Sequence, residues 1–218
     1  MRHLFVALGL VIALCVAATA DAGRGDPREA LTKADQARAK AMLLRASDLA
    51  PGFVARRSSA DADVYCAAVD ESDLTITGKA SSPQHTLVDA TRFFVLGSTA
   101  QVYRTTKQAS TSWRRGTSAK GVACAKKIFG ALPGATLRSF RAQSFPKVAP
   151  KTVAYRLVMD LQAAGTTIRT YSDVIVLGAG RAQAALWILS GGRPLVRAEA
   201  VAFARKIAGR MATAMRGA

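Results

Sequence analysis

The chain has 218 residues, half of them hydrophobic and 6% aromatic, a length that fits one globular domain with an appended segment. Its 31 Lys and Arg against 14 Asp and Glu give a net charge of +17, which excludes an acidic disordered tail and draws the protein toward polyanions. Two histidines, three cysteines and no asparagine exclude a His-rich metal site and any N-glycosylation sequon, and nothing in the sequence implies a cofactor.

Arg2 and His3 form a basic start, an apolar run follows from Leu4 to Ala18, and Ala20-Asp21-Ala22 closes it with small residues, the three parts of a secretory signal peptide. Residues 1–22 are therefore expected to be an export segment and 23–218 a single domain, secreted or extracytoplasmic and associated with the cell envelope. A single-pass anchor would need about 20 continuous apolar residues, more than this run supplies. Acylation of Cys15 is disfavoured by Leu14, which stands where lipoproteins want a small residue. Export leaves Cys66 and Cys124 as a pair in an oxidising compartment, and one bridge between them is the simplest arrangement; two free thiols are the alternative. On the chain-entropy account such a bridge stabilises by roughly 4 kcal/mol.

Asp26-Pro27 reads as a cap followed by proline at a first helical position, and Leu31, Ala34, Ala41 and Leu44 keep helical spacing up to Ala50-Pro51-Gly52. Residues 56–63 read as a polar loop leading to Cys66. Leu74, Ile76, Gly78 and Ala80 alternate with Thr75, Thr77 and Lys79, the period of a half-buried strand that ends at Ser81-Ser82-Pro83. A second β segment covers about 92–104, with Phe93, Phe94, Val95, Val102 and Tyr103, and its Gly97 marks a bulge or a close backbone approach. Thr106 caps the first of two short helices, one with Ala109 and Trp113, the other with Val122, Cys124, Ile128 and Phe129, before Pro133-Gly134 turns the chain.

Val153, Tyr155, Leu157, Met159 and Leu161 then alternate with polar neighbours. Gly165 turns into a strand over 166–177, and Gly178-Ala179-Gly180 turns into another within 181–190. From Pro194 onward, Val196, Ala200, Phe203, Ile207 and Met211 recur at three and four residues, as in an amphipathic helix. This order predicts an α+β fold: an antiparallel β-sheet meander packed against amino-terminal, central and carboxy-terminal helices, all on one face.

Val174 to Gly180 imitates the strand and first two glycines of a dinucleotide fingerprint, but Gln183 stands where the closing small residue belongs, so a hairpin turn is the expected reading. Gly-x-Ser-x-Gly is absent. His85 follows Ser81-Ser82-Pro83 and is expected in an exposed loop; Asp70, Glu71 and Asp73 lack calcium-loop spacing and read as a solvated turn. Basic clusters at Arg56-Arg57, Arg114-Arg115 and Lys126-Lys127 have few aromatics between them, which argues against a dedicated nucleic-acid binder.

The segment from Leu43 to Phe53, the run Asp73 to Pro83, Val102-Tyr103, Trp113 and Cys124 follow one another in an order that resembles exported actinobacterial proteins. These are the PsbP-like secreted proteins and the extracellular sensor domains of actinobacterial serine/threonine kinases. The resemblance, which covers about residues 40 to 212, implies an antiparallel sheet flanked by helices, a cleft for an unidentified ligand and no catalytic residues. The expected function is non-enzymatic: a monomeric ligand-binding or interaction domain whose partner is a small molecule, a lipid or an anionic envelope polymer. Arg156, Arg169 and Arg181 on the meander are the candidate basic rim of its cleft. The alternative is an envelope hydrolase or transferase built around Asp160 and Asp173.

Overall fold

Four strands of ten residues or more form the centre of this fold. The computed structural model describes residues 25–56, 69–88, 93–163 and 165–216. The expected export segment and Cys66 lie outside them. Strands β6 (Ala135–Gln143), β7 (Lys151–Ala163), β8 (Thr166–Ala179) and β9 (Ala182–Gly191) form an antiparallel meander. β9 pairs on its other side with β5 (Phe93–Tyr103), whose far edge is divided between β3 (Thr75–Ser81) and β4 (Gln84–Val88). Two short strands, β1 (Arg28–Glu29) and β2 (Val54–Arg56), complete a nine-stranded sheet, and β1 is its one parallel member among the described residues.

The fold class is the α+β arrangement expected, but the helices occupy both faces. Helices α1 (Lys33–Met42) and α4 (Arg197–Ala214) pack together on one face. There Met42, Ile207 and Met211 close over Leu96, Leu177 and Leu186, all fully buried. Helices α2 (Thr106–Thr117) and α3 (Ala119–Gly130) lie on the other face, where Trp113 sits against Gly178 and Phe129 lies 6.3 Å from Phe140. The second layer is needed because β8 and β9 are apolar at both parities: Ile175, Leu177, Leu186 and Ile188 face one way, Val174, Val176, Trp187 and Leu189 the other.

Element ends depart from the sequence reading for local reasons. Asp26-Pro27 opens no helix, because Arg28 and Ala30 donate their N–H groups to Leu74 and Ile76 across the β1–β3 edge, at 3.0 and 2.9 Å. The helix begins at Lys33 instead, capped by Thr32, whose hydroxyl accepts from the Asp35 N–H at 3.1 Å. Thr105 rather than Thr106 caps α2, and α4 starts at Arg197 rather than Pro194. Gly178-Ala179-Gly180 is a hairpin, with Ala179 opposite Ala182 and Gly180 at φ 55° in the turn. Gly97 is a close approach and no bulge: it pairs directly with Trp187, and its missing side chain leaves the room the indole occupies.

His85 corrects the loop expectation most clearly. Ser82-Pro83 is too tight to be a loop, since the Ser98 N–H donates to the Ser82 hydroxyl at 2.9 Å and the chain re-enters the sheet at once as β4. Opposite Leu96, His85 faces the α1–α4 layer, 2% exposed, with neither ring nitrogen hydrogen-bonded. Burial lowers its basicity, and the nearby Asp48 only partly restores it. Asp48 itself is clamped by both Nη atoms of Arg210 on α4, each at 2.6 Å, and Arg210 also donates to the Leu43 carbonyl at 2.8 Å.

Two predictions follow from this packing. Gly78 lies so close under α1 that a methyl there would meet the Asp35 carbonyl, so Gly78→Ala should lift the helix and lower stability by about 1–3 kcal/mol, read from the urea midpoint. His85, neutral in the fold, gains a proton more readily once unfolded. Stability is therefore complete above its ordinary 6.5 and declines as pH falls below it. Denaturant midpoints taken at about pH 7.5 and 5.5 should differ in the natural chain and lose that component in His85→Leu.

Candidate functional site

Residues directly opposite on antiparallel strands share a face, and this places two of the three candidate arginines together. Arg156 on β7 stands opposite Asp173 on β8, and its Nε and Nη2 donate to that carboxylate at 2.6 and 2.8 Å. Four residues further along β7, and so on the same face, Asp160 stands opposite Arg169 and accepts from it at 2.9 and 3.2 Å. Asp160 also accepts from Nε of Arg138 on β6 at 2.7 Å. Those hydrogen bonds from Arg169 and Arg138 hold its carboxyl at about 2. A carboxyl so acidic carries no proton to donate at neutral pH.

Arg181 is elsewhere. It follows the β8–β9 turn and donates to Asp35 through both Nη atoms at 3.2 Å, and to the Tyr103 carbonyl at 2.9 Å. Asp35 also receives the Thr77 hydroxyl and the Arg38 guanidinium, each at 2.6 Å. Burial pushes the Asp35 carboxyl up, but the hydrogen bonds from Thr77, Arg181 and Arg38 outweigh it and bring it to about 2. Arg181 thus fastens the fold at one end of β8, while Arg156 and Arg169 lie toward the other.

A cleft of about 160 Å³ opens beside Arg156, where the sheet emerges from under the start of α4. Ala154 and Ile175 form its floor, Phe145 and Ala200 its apolar sides, and Arg156, Asp173 and Arg197 its polar rim. Ala154, Ile175 and Ala200 belong to the main core, so the floor is held rigidly. Val196, which caps α4, supplies no side-chain hydrogen bond to the first turn. This is a cleft between sheet and helix with an apolar interior and an arginine rim. It can hold a small molecule that joins an anionic group to an apolar one.

A second cavity, of about 330 Å³, lies on the other face between the β1–β3 edge and α3, lined by Glu29, Glu71, Lys79 and Gln101 with Ile76 and Ile128. Glu71 turns inward here, which corrects the expectation of a solvated acidic turn. Burial raises its carboxyl, and the Ser112 hydroxyl that bonds it also bonds Tyr103 at 2.8 Å. The rest of that turn is superficial, with Asp70 accepting from the Ser72 N–H at 2.9 Å and Asp73 paired to Arg115. Cys124 is half-buried on α3, and Cys66, its expected partner, lies outside the described residues. Among the described residues no group of His, Cys, Asp or Glu could hold a metal ion, and no helix is long and apolar enough to cross a membrane.

Two residues of the arginine-rich face, Arg138 and Arg141, were not legible in advance because β6 itself was not. Its burial alternation is broken by the two arginines and by a register shift between Leu137 and Ser139.

The fold and the cleft define an α+β sheet domain with a helix-bounded recess. No family model and no curated protein matches the chain. Among solved structures it is similar to the extracellular domain of PknH from Mycobacterium tuberculosis, at 11% identity and a TM-score of 0.44, over 82% of this chain and 96% of that one. It is also similar to LpqN, involved in cell envelope biogenesis of Mycobacterium tuberculosis, at 13% identity and a TM-score of 0.34, over 73% of this chain and 83% of that one. At these values the likeness is one of general fold, and the function is argued from this chain's own residues.

The Asp35 cluster gives a stability prediction. Arg181→Ala leaves a buried carboxylate short of its principal cation and should cost about 2–4 kcal/mol by chemical denaturation, part of it recovered in Arg181→Ala/Asp35→Asn. Because Asp35 is more acidic folded than unfolded, its contribution is complete above 3.8 and disappears as pH falls toward 2. A natural chain and an Asp35→Asn variant with the same acid limb would contradict this.

Proposed function

We propose that the protein is an exported, non-enzymatic binding domain of the cell envelope that takes a small ligand with an anionic group and a short apolar part. The observation that carries this reading is the cleft at the start of α4, whose floor of Ala154 and Ile175 is apolar and whose rim sets Arg156 and Arg197 against Asp173 alone. Guanidinium groups at the mouth of an apolar recess bind a carboxylate or phosphate by paired N–H donors while the remainder of the ligand leaves water. The sequence supports the setting: the signal-like first 22 residues direct export, and a Cys66–Cys124 bridge would fasten α3 to the segment before β3. The ion pairs of Asp160 and Asp173 count against the hydrolase alternative, since a general base or nucleophile engaged by one or two arginines is a poor one.

Native mass spectrometry of the secreted chain tests the reading. The expected result is a reproducible extra mass that leaves on denaturation and is lost in Arg197→Glu, over a polypeptide two hydrogens lighter than its reduced form. Two alkylatable thiols would remove the bridge from the account. Turnover of ester, glycoside or phosphate substrates that stops in Asp160→Asn or Asp173→Asn would replace a binding domain by an enzyme.

A further inference from the structure

Beyond the cleft, the α4-side face of β6, β7 and β8 continues with no helix over it among the described residues, and its chemistry differs from the rest of the sheet. Where α1 and α4 lie, this face is aliphatic; here it carries Arg138 and Arg141 on β6, Arg156 on β7 and Arg169 on β8, with Asp160 and Asp173 between them. Four guanidiniums meet two carboxylates. Arg138 and Arg169 share the single carboxylate of Asp160 and keep 56% of their side-chain surface in solvent. Arg141 stands directly opposite Arg156, cation against cation, and has no carboxylate partner of its own among the described residues. Like charges directly opposed on neighbouring strands are destabilising unless an anion lies between them.

The strand geometry makes this concentration specific. Residues three apart on a regular strand point to opposite faces, so Arg138 and Arg141 should be separated by the thickness of the sheet. The register shift between Leu137 and Ser139 restores Arg138 to the face of Arg141, as its bond to Asp160 shows. A bulge weakens local pairing, and here its effect is to add a fourth arginine to one surface.

We infer that this arginine face of β6–β8 is a docking surface for a linear polymer of phosphate groups. Tetrahedral phosphate oxygens accept from guanidiniums that approach from different strands, which suits cations spread over three strands. The shape selects a linear polymer over a membrane. α4 stands on the same face and is roughly 10 Å thick, so the arginines lie at the foot of a step that a chain can follow and a flat bilayer cannot reach.

The experiment measures binding of inorganic polyphosphate to the full secreted chain. Arg138→Gln/Arg141→Gln removes two cations while leaving the Arg169–Asp160 and Arg156–Asp173 pairs in place, and neither residue lines the cleft. Lys126→Gln/Lys127→Gln removes the same charge from α3. The β6 variant should bind roughly tenfold more weakly, with a log–log salt slope shallower by about 2, while the α3 variant stays within about twofold of the natural chain. Equal losses in the two variants would show diffuse attraction to a +17 protein and overturn the assignment. So would phosphatidylglycerol vesicles that bind and lose affinity in the β6 variant as polyphosphate does. Thermal midpoints confirm that both variants are folded. Retention of the cleft ligand in the β6 variant separates this inference from the reading of the cleft.

Discussion

Asp35 is the point at which separate parts of the chain become one structure. Its carboxylate, 5% exposed with its residue, receives hydrogen bonds from Arg38 in its own helix, from Thr77 on β3 and from Arg181 beyond the β8–β9 turn. A buried charge is tolerable only when its lone pairs are filled, and here each filling comes from a different element. The helix can approach this closely because Gly78 presents no side chain beneath it. Thus one anion fixes the start of α1, the register of β3 and the position of the β8–β9 hairpin, which carries the longest strand of the sheet. Asp48 does the same at the other end of α1, joining the 3-10 turn Ala46–Asp48 to α4 through Arg210 and Lys206.

This pattern explains how a chain with so few acids uses them. Asp35, Asp48 and Asp160 are each buried or nearly so, and each answers two cations. These three acidic groups therefore act inside, as connectors of cations from different elements. On the β6–β8 face four arginines answer only two carboxylates, and the patch stays net positive.

What the sequence disclosed and what it concealed divide along physical lines. Strands whose two faces differ strongly in polarity, β3, β7 and the first part of β8, were readable because alternation is a direct consequence of the pleat. β4 was hidden by its brevity and by His85, a residue that ordinarily seeks water and here lies against Leu96 without a partner. β6 was hidden by its own arginines and bulge. The two-sided helix layer was missed because apolar residues at both parities, over residues 174–177 and 184–189, obscure which face is inside. Of the candidate rim, Arg156 borders a cleft between sheet and helix, and Arg169 lies on the same face. The partner of each, and the removal of Arg181 to Asp35, depend on strand register, which a single sequence leaves open.

The bond between Asp48 and Arg210 joins residues 162 positions apart, and with it α1 completes its packing on α4. A polypeptide is made from its amino end, so the first helix waits for the last before its apolar side has anything to cover it. Contacts of such long separation form late and slowly, since the whole intervening chain must be brought to order before they yield any stabilisation. The α1–α4 layer is in this sense closed by α4. The meander, whose neighbouring strands are joined by short turns, can form before that layer does, and α1 is fixed only when α4 arrives beside it.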